Sequence, residues 1–393
     1  MEYITAKQAA EQWQTSTRWV QRCCKSGAVV GAQHHGREWM IPAGAGKPHP
    51  SVPVADQPAA SPVRIPMPLL NSTFAPGQCK EWAEHFFDEG TRDIALAEYY
   101  YFSGQSEKAC AAAEPYLNHE DEALRLSAYL IYAYANLSLG RTQLSRRALR
   151  AVMDSVKQNC RPTASPQLRA VSIFIANTAS VLLHLNVPGI PPMEAALPAL
   201  PQGLRFFSCY ITAHQAYLEG DYNRSLGLTQ AAFAVAETVY PIPAIYLHLI
   251  AAMDEMNLKH PEEGKAEFYK AWALAKQDDL IEAFGEHHGL LEGLVEVCLK
   301  KSAPKAFERI IAITYSFSDG WRQIHNPHTQ EEVADNLSTL EFTIAMLANR
   351  GWSNKAIGEH LDLSASTVKA YSSQIYQKLG IDSRKDLEKY MLR

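Results

Sequence analysis

Across residues 77 to about 335, alanine, leucine and tyrosine recur at spacings of three and four, with hardly any alternation of apolar and polar positions. That is the pattern of helices burying one face. Four stretches share a layout. In AEYYYFSGQSEKACAAAEPYL an apolar helix runs into Gly104, and a small residue, Ala109, follows five positions later. AYANLSLGRTQLSRRAL repeats this around Gly140 and Ser145, and AHQAYLEGDYNRSLGLTQAAF around Gly220 and Ser225. AAMDEMNLKHPEEGKAEFYKAWALA is a looser version, with a longer turn. Glycine ends one helix in a left-handed cap and the small residue lets the next helix pack closely, so helical hairpins stacked in series are expected. The spacing is uneven, 36 residues from Gly104 to Gly140 and 80 from Gly140 to Gly220, with Pro188, Pro191, Pro192, Pro198 and Pro201 interrupting. An irregular helical bundle without true repeats is the alternative.

The pattern changes at both ends. In SNKAIGEHLDLSASTVKAYSSQIYQKLG, residues 353–380, Ser353 is a good N-cap and Ile357 with Leu361 forms an apolar pair on a short helix. Leu363, Ser364 and Ala365 make a turn, and a second helix is expected from about Ser366 to Leu379, stopped by Gly380. At about 100° per residue, Val368, Tyr371, Ser372, Ile375 and Leu379 share one side. Ser366, Lys369, Ala370, Ser373, Gln374 and Gln377 share the other, with Lys378 at its edge and no carboxylate. Small residues, amides and lysine without acids suit a helix lying in the DNA major groove, where amides meet adenine edges and lysine meets guanine acceptors or phosphate. A solvated polar face on an ordinary helix pair is the plainer reading.

Residues 3 to 42 form a second compact pattern. Thr5 with Gln8 is a capping-box signature for a helix from about Ala6 to Trp13. Ser16 can cap another through Val20 to about Lys25, ended by Gly27. Val29 and Val30, a turn at His34, His35 and Gly36, and then Trp39, Met40 and Ile41 read as a β-hairpin. Between the two patterned regions, prolines at 42, 48, 50, 53, 58, 62, 66, 68 and 76 remove donors and restrict their neighbours, so residues 43–76 read as a linker.

Charge divides the chain in the same way. Residues 1–47 carry six basic against three acidic side chains, residues 48–336 carry 23 against 33, and residues 337–393 carry eight against six. Two mildly basic ends flank an acidic middle, which permits polyanion binding at the termini. Seven scattered cysteines, with no C-x-x-C pair, encode neither a disulfide framework nor a zinc site. No run reaches the ~18 apolar residues of a membrane span, and a cytoplasmic protein is expected. GAGK at 44–47 lacks phosphate-loop spacing. His34 and His35 are adjacent on a hairpin without further ligands, His287 and His288 read as surface residues, and Trp13 and Trp39 as core. No catalytic, metal or cofactor constellation is visible, so the chain does not read as an enzyme.

Residues 337–387 resemble the LuxR-type (NarL or FixJ type) helix-turn-helix domain. The match rests on Leu337 with Glu341, on Gly351, Ser353 and Asn354, on Thr367-Val368-Lys369, on Lys378-Leu379-Gly380, and on Arg384. The resemblance implies that Lys369, Ala370 and Ser373 meet base edges, with Gln374 on the same face, and that Asn354, Thr367 and Lys378 meet phosphates. Ser373 and Tyr371 depart from the family, which often has a basic residue and His there. The resemblance also implies self-association through SRKDLEKYML. Residues 1–42 look like the winged helix-turn-helix of MerR-type regulators and excisionase-like proteins, which implies Ser16, Arg18, Trp19, Arg22 and Arg37 as DNA-facing residues. The helical middle resembles the tetratricopeptide class.

A mainly α protein is expected, with two small helix-turn-helix domains (1–42 and 336–393) flanking a tetratricopeptide-like α-helical repeat domain (77–335). Its partners would be double-stranded DNA, a second copy of the chain on paired half-sites, and a protein or small-molecule effector at the helical domain. A protein-interaction scaffold whose terminal domains no longer bind DNA is the other reading.

Overall fold

The computed structural model describes residues 3–13, 15, 17–25, 29, 32–35, 38–45, 64–159, 164–182, 189–325 and 337–390. Two compact units emerge, Met1–Val63 and Arg64–Arg393. The fold is mainly α.

In the first unit, β1 (Tyr3–Thr5) leads into α1 (Ala6–Gln12) and α2 (Thr17–Lys25), followed by β2 (Gln33–His35) and β3 (Glu38–Pro42). The capping box forms: Gln8 N–H donates to Thr5 Oγ1 at 3.3 Å, and Thr5 N–H to Gln8 Oε1 at 2.9 Å. Ala6, Ala9, Ala10, Trp13, Val20, Cys24, Val29 and Ile41 make a separate core. The hairpin differs from expectation. Its first strand is Gln33–His35 rather than Val29–Val30, and Val29 is a core residue preceding it. β3 pairs with β1 on its other side, Ile4 opposite Ile41, a strand too short to register in any alternating pattern.

The second unit begins earlier than expected. Met67, Leu69, Leu70 and Phe74, within the stretch read as linker, are buried in the large core. The fully buried Glu98 accepts the N–H groups of Leu69 (2.8 Å) and Leu70 (3.1 Å). Prolines exclude a helix or an interior strand there, but they do not exclude burial when distant side chains supply acceptors. Arg64 bonds Asp88 through two nitrogens (2.8 and 3.0 Å) and Asp121 through a third (3.0 Å).

Those two aspartates are the N-caps of α4 (Glu89–Phe102) and α6 (Glu122–Ser138), which follow the short α3 (Cys79–Glu84). Arg64 thus ties two helix starts together, and its hydrogen bonds hold the Asp88 carboxyl far below the usual carboxylate range.

Four helical hairpins run along the unit: α4 with α5 (Ser106–Ala113), α6 with α7 (Thr142–Asn159), α9 (Gln202–Leu218) with α10 (Tyr222–Val235), and α11 (Pro241–Asn257) with α12 (Pro261–Ala275). Gly104, Gly140 and Gly220 take positive φ at the first three corners, and Ala109, Ser145 and Ser225 are fully buried five residues on. The fourth corner does not have a longer turn. Lys259 occupies the left-handed position at φ +66°, and Gly264 is the small residue five positions later. α8 (Pro166–Leu182) packs on α7 and α9, with two short 3-10 turns, Met193–Ala195 and Leu197–Ala199, between it and α9.

After α12, the chain returns over the hairpins. α13 (Glu282–Glu286) packs on α4 and α11, α14 (Leu294–Leu299) on α12, and α15 (Pro304–His325) on α6 and α13. His287 and His288 are buried, not on the surface. His287 Nε2 lies 2.8 Å from Tyr210 Oη and its Nδ1 2.8 Å from the Ala283 carbonyl, and burial pushes its pKa down to about 4. His288 pairs with Glu296 at 2.8 Å. α16 (Thr339–Asn349), α17 (Asn354–Leu361) and α18 (Ala365–Leu379) complete the unit, their apolar residues continuous with the same core. Among the described residues no helix is long and apolar enough to cross a membrane, and no cluster of potential metal ligands occurs.

Candidate nucleic-acid interface

Each of the last three helices starts on a serine. Ser338 forms a capping box with Glu341 on α16, Ser353 Oγ accepts the Ala356 N–H at 3.1 Å on α17, and Ser364 Oγ accepts the Thr367 N–H at 3.0 Å on α18. Placing α18's cap at Ser364 starts that helix one residue before Ser366, at Ala365. α17 ends at Asp362 with φ +58°, and Gly380 closes α18 at φ +63°. The turn folds back hard on α17: a Cβ at Gly358 would stand 2.6 Å from the Leu363 carbonyl oxygen. Only glycine fits that crossing. It was readable as a glycine inside a helical pattern, yet periodicity alone passes over it.

Val368, Ser372, Ile375 and Leu379 are the buried residues of α18, spaced four, three and four apart. They pack with Ile344, Leu347, Ile357 and Leu387 in the core. Ser366, Lys369, Ala370, Ser373, Gln374 and Gln377 are all exposed, as the helical spacing requires. Ser373 Oγ donates to the Lys369 carbonyl at 3.2 Å, which leaves its lone pairs outward. Asn354 is the first residue of α17, half-buried. Thr367 is half-buried as well, its hydroxyl 2.7 Å from Ser364 Oγ. Unpaired N–H groups in the first turns of both helices offer partial positive charge to anions.

Lys378 is not a free cation at the edge of this face. Its Nζ bonds Glu341 Oε2 at 2.7 Å, and that carboxylate, only 5% exposed, also accepts the Ser338 N–H. Burial alone would raise the Glu341 pKa, but Lys378 and Ser338 together hold it below its ordinary value. Arg384 is spent inside the domain too, donating to the carbonyls of Ala348 (2.9 Å from Nε) and Trp352 beyond the end of α16. The segment expected to self-associate is a 3-10 turn, Arg384–Lys389, with Leu387 fully buried against α16.

The helix-turn-helix is docked on the helices before it by the side away from α18. Arg350 pairs with the fully buried Glu292 and donates to Tyr217 Oη at 2.9 Å. His360 Nε2 bonds the Glu292 carbonyl at 2.9 Å, and burial pushes its pKa down to about 4. The outer pair, Lys301 with Asp362 at 2.7 Å, is over 80% exposed on both sides and contributes little. None of these contacts involves the exposed residues of α18.

In the first unit Arg18 is exposed on α2. Trp19 and Arg22 lie in α2, whereas Ser16 and Arg37 lie outside the described residues.

Residues 335–391 match the family of bacterial regulatory proteins of the luxR type, so this segment is a luxR-family helix-turn-helix domain. The oxygen regulatory protein NreC of Staphylococcus aureus, in strains JH9, JH1 and Mu3, is 40% identical over 57 residues, covering 14% of this chain and 26% of its own. The chain thus spans about a quarter of the length of the curated relatives it matches. No solved structure matches it.

Proposed function

We propose that this protein is a cytoplasmic DNA-binding transcription regulator that reads duplex DNA with α18. The carrying observation is the exposed, carboxylate-free face of Ser366, Lys369, Ala370, Ser373, Gln374 and Gln377 within the luxR-family match. Lys369, Ala370 and Ser373 face the bases with Gln374 beside them, while Asn354, Thr367 and the first-turn N–H groups of α17 and α18 face phosphates. Lys378 acts mainly by fixing α18 to α16 through Glu341. One such helix reads a short half-site, so two copies act on paired half-sites. The first unit is a MerR-like winged helix-turn-helix that adds contacts through the α2 residues Arg18, Trp19 and Arg22. The tetratricopeptide-like helices between them take the effector, a small molecule or a protein.

Fluorescence anisotropy of the full chain on a pool of labelled duplexes, repeated from 50 to 300 mM salt, tests the reading. A regulator gives saturable binding whose affinity falls steeply with salt and a selectable sequence preference. A flat salt response with no preferred sequence refutes it in favour of an interaction scaffold.

A further inference from the structure

The helix-turn-helix domain is short of free cations. Residues 337–393 carry eight basic side chains. Of these, Arg350 is bound to Glu292, Lys378 to Glu341, and Arg384 to the carbonyls of Ala348 and Trp352. On α17 and α18 that leaves Lys355 and Lys369, and Lys355 has Glu359 3.8 Å away. Affinity for a duplex grows with the number of phosphates that cations neutralise, so a domain this sparing of them gains from charge supplied by its surroundings.

The turn between α14 and α15 carries such charge. From Val297 to Phe307 the chain reads VCLKKSAPKAF, three lysines and no carboxylate, within residues 48–336, where acids outnumber bases 33 to 23. The bordering acids are Glu296, bonded to His288, and the exposed Glu308. Lys300, Lys301 and Lys305 are all exposed, and Lys300 and Lys305 have no ion-pair partner among the described residues.

This turn sits beside the motif. α14 packs on α17, where a Cβ on Gly293 would stand 2.6 Å from Leu361 Cδ2, and Lys301 Nζ bonds Asp362 at 2.7 Å. Asp362 ends α17 and lies two residues before Ser364, the cap of α18. The first turn of α18 is where the function proposed above puts a phosphate. Lys301 offsets the acid next to that turn, and Lys300 and Lys305 remain for anions.

We infer that the α14–α15 turn is a second DNA-binding surface, with Lys300 and Lys305 on phosphates flanking the half-site read by α18 and Lys301 cancelling the charge of Asp362. Three lysines alone would suit an acidic protein as well; their place beside the start of α18 selects the duplex. The inference rests on the DNA reading and extends it from the helix-turn-helix domain to the helices that carry it. Contacts of this kind add affinity without sequence information.

Anisotropy of the full chain on labelled duplexes from 50 to 300 mM salt tests it, using the double variant Lys300→Ala/Lys305→Ala. Each phosphate contact accounts for about 0.9 of the slope of log affinity against log salt, and a contact worth nothing at 1 M salt is worth about eightfold at 100 mM. The double variant should therefore lose about 0.9 to 1.8 of the slope and bind every duplex at least about eightfold more weakly at 100 mM, with the order of preferred sequences unchanged. Lys300→Arg/Lys305→Arg should keep the slope. Lys157→Ala, which removes one exposed charge near the end of α7, should leave it as it is. An alanine variant with the slope and affinity of the unaltered protein overturns the inference and leaves the regulator reading standing. An equal drop for Lys157→Ala does the same, because the effect is then one of net charge. Absence of salt-dependent binding by the unaltered protein overturns both. Should the double variant fail to fold by circular dichroism, Lys305→Gln alone must lower the slope by about 0.9, and an unchanged slope overturns the inference.

Discussion

Replacing Arg350 with methionine tests the joint between the helix-turn-helix domain and the helices before it. Methionine keeps the length of the stem and removes the guanidinium. Glu292, at 0% side-chain exposure, would then keep only the Asn257 amide as donor, 3.1 Å from its Oε1, and Tyr217 Oη would lose the Arg350 donor at 2.9 Å. Breaking a buried pair from one side costs about 3–5 kcal/mol. The loss has a ceiling, because Glu292 can escape by taking up a proton. From an ordinary carboxylate pKa near 4.3 that costs about 3.7 kcal/mol at pH 7 and about 1 kcal/mol at pH 5, at ~1.4 kcal/mol per unit. The expected loss is therefore about 3 kcal/mol at pH 7, shrinking to about 1 kcal/mol at pH 5. Hydrogen exchange of the α16 and α17 amides reads it as local opening free energy. Adding Glu292→Gln to the variant should recover at least half of the loss, since a neutral amide no longer needs the counter-charge. A loss under 1 kcal/mol at pH 7, the same loss at pH 5, or a double variant no better than the single one would refute the view that this buried pair holds the domain in place.

Three further outcomes are expected. Lys369→Ala should change base preference and leave the melting temperature unaltered, while Lys378→Ala should weaken binding to all sequences alike and lower stability by about 1 kcal/mol, modest because the lysine is half exposed; parallel anisotropy and thermal melts on one duplex panel check both. Lys259→Gly should stabilise the protein by about 0.5–1 kcal/mol, because a side chain at φ +66° is strained and the other three hairpin corners carry glycine; a urea midpoint that falls contradicts this. Glu98, Asp254 and Glu282 are each raised to about 8 by burial. The folded state therefore keeps protons that the unfolded chain has released, and stability falls as pH rises from 6.5 to about 8 and levels off beyond. His287 and His360, lowered to about 4, are neutral in both states over most of that window, and Glu98→Gln should reduce the slope by about one proton.

What could be read from the chain alone was what local spacing determines. The Thr5–Gln8 box, the Ser353 cap, the Gly380 stop and the four-three-four spacing of Val368, Ser372, Ile375 and Leu379 each need only a few neighbouring residues, and each stands where expected. What escaped depends on partners far along the chain. Residues 64–76 look like more linker until Glu98 and Ser127 supply acceptors for the N–H groups of Met67, Leu69 and Leu70. His287 looks like a surface residue until Tyr210, 77 positions away, bonds it in the core. Lys378 matched a motif, and only the fold shows its charge committed to Glu341. The fourth hairpin hid its corner because a lysine holds the glycine position.

The same division runs through the interface itself. α18 needs an inward face to hold it and an outward face free of carboxylates, and both follow from a fifteen-residue stretch. Whether that outward face is available depends on where the domain docks. The docking residues Glu292, Arg350, Tyr217 and His360 are spread over 143 positions and carry no common motif. They engage α16 and α17 and leave α18 outward. A helix chosen by local chemistry for contact with a polyanion is thus presented by long-range chemistry that no short window of sequence contains. Because a buried ion pair, Arg350 with Glu292, is part of that anchor, the presentation can be weakened without touching a single residue of the reading face.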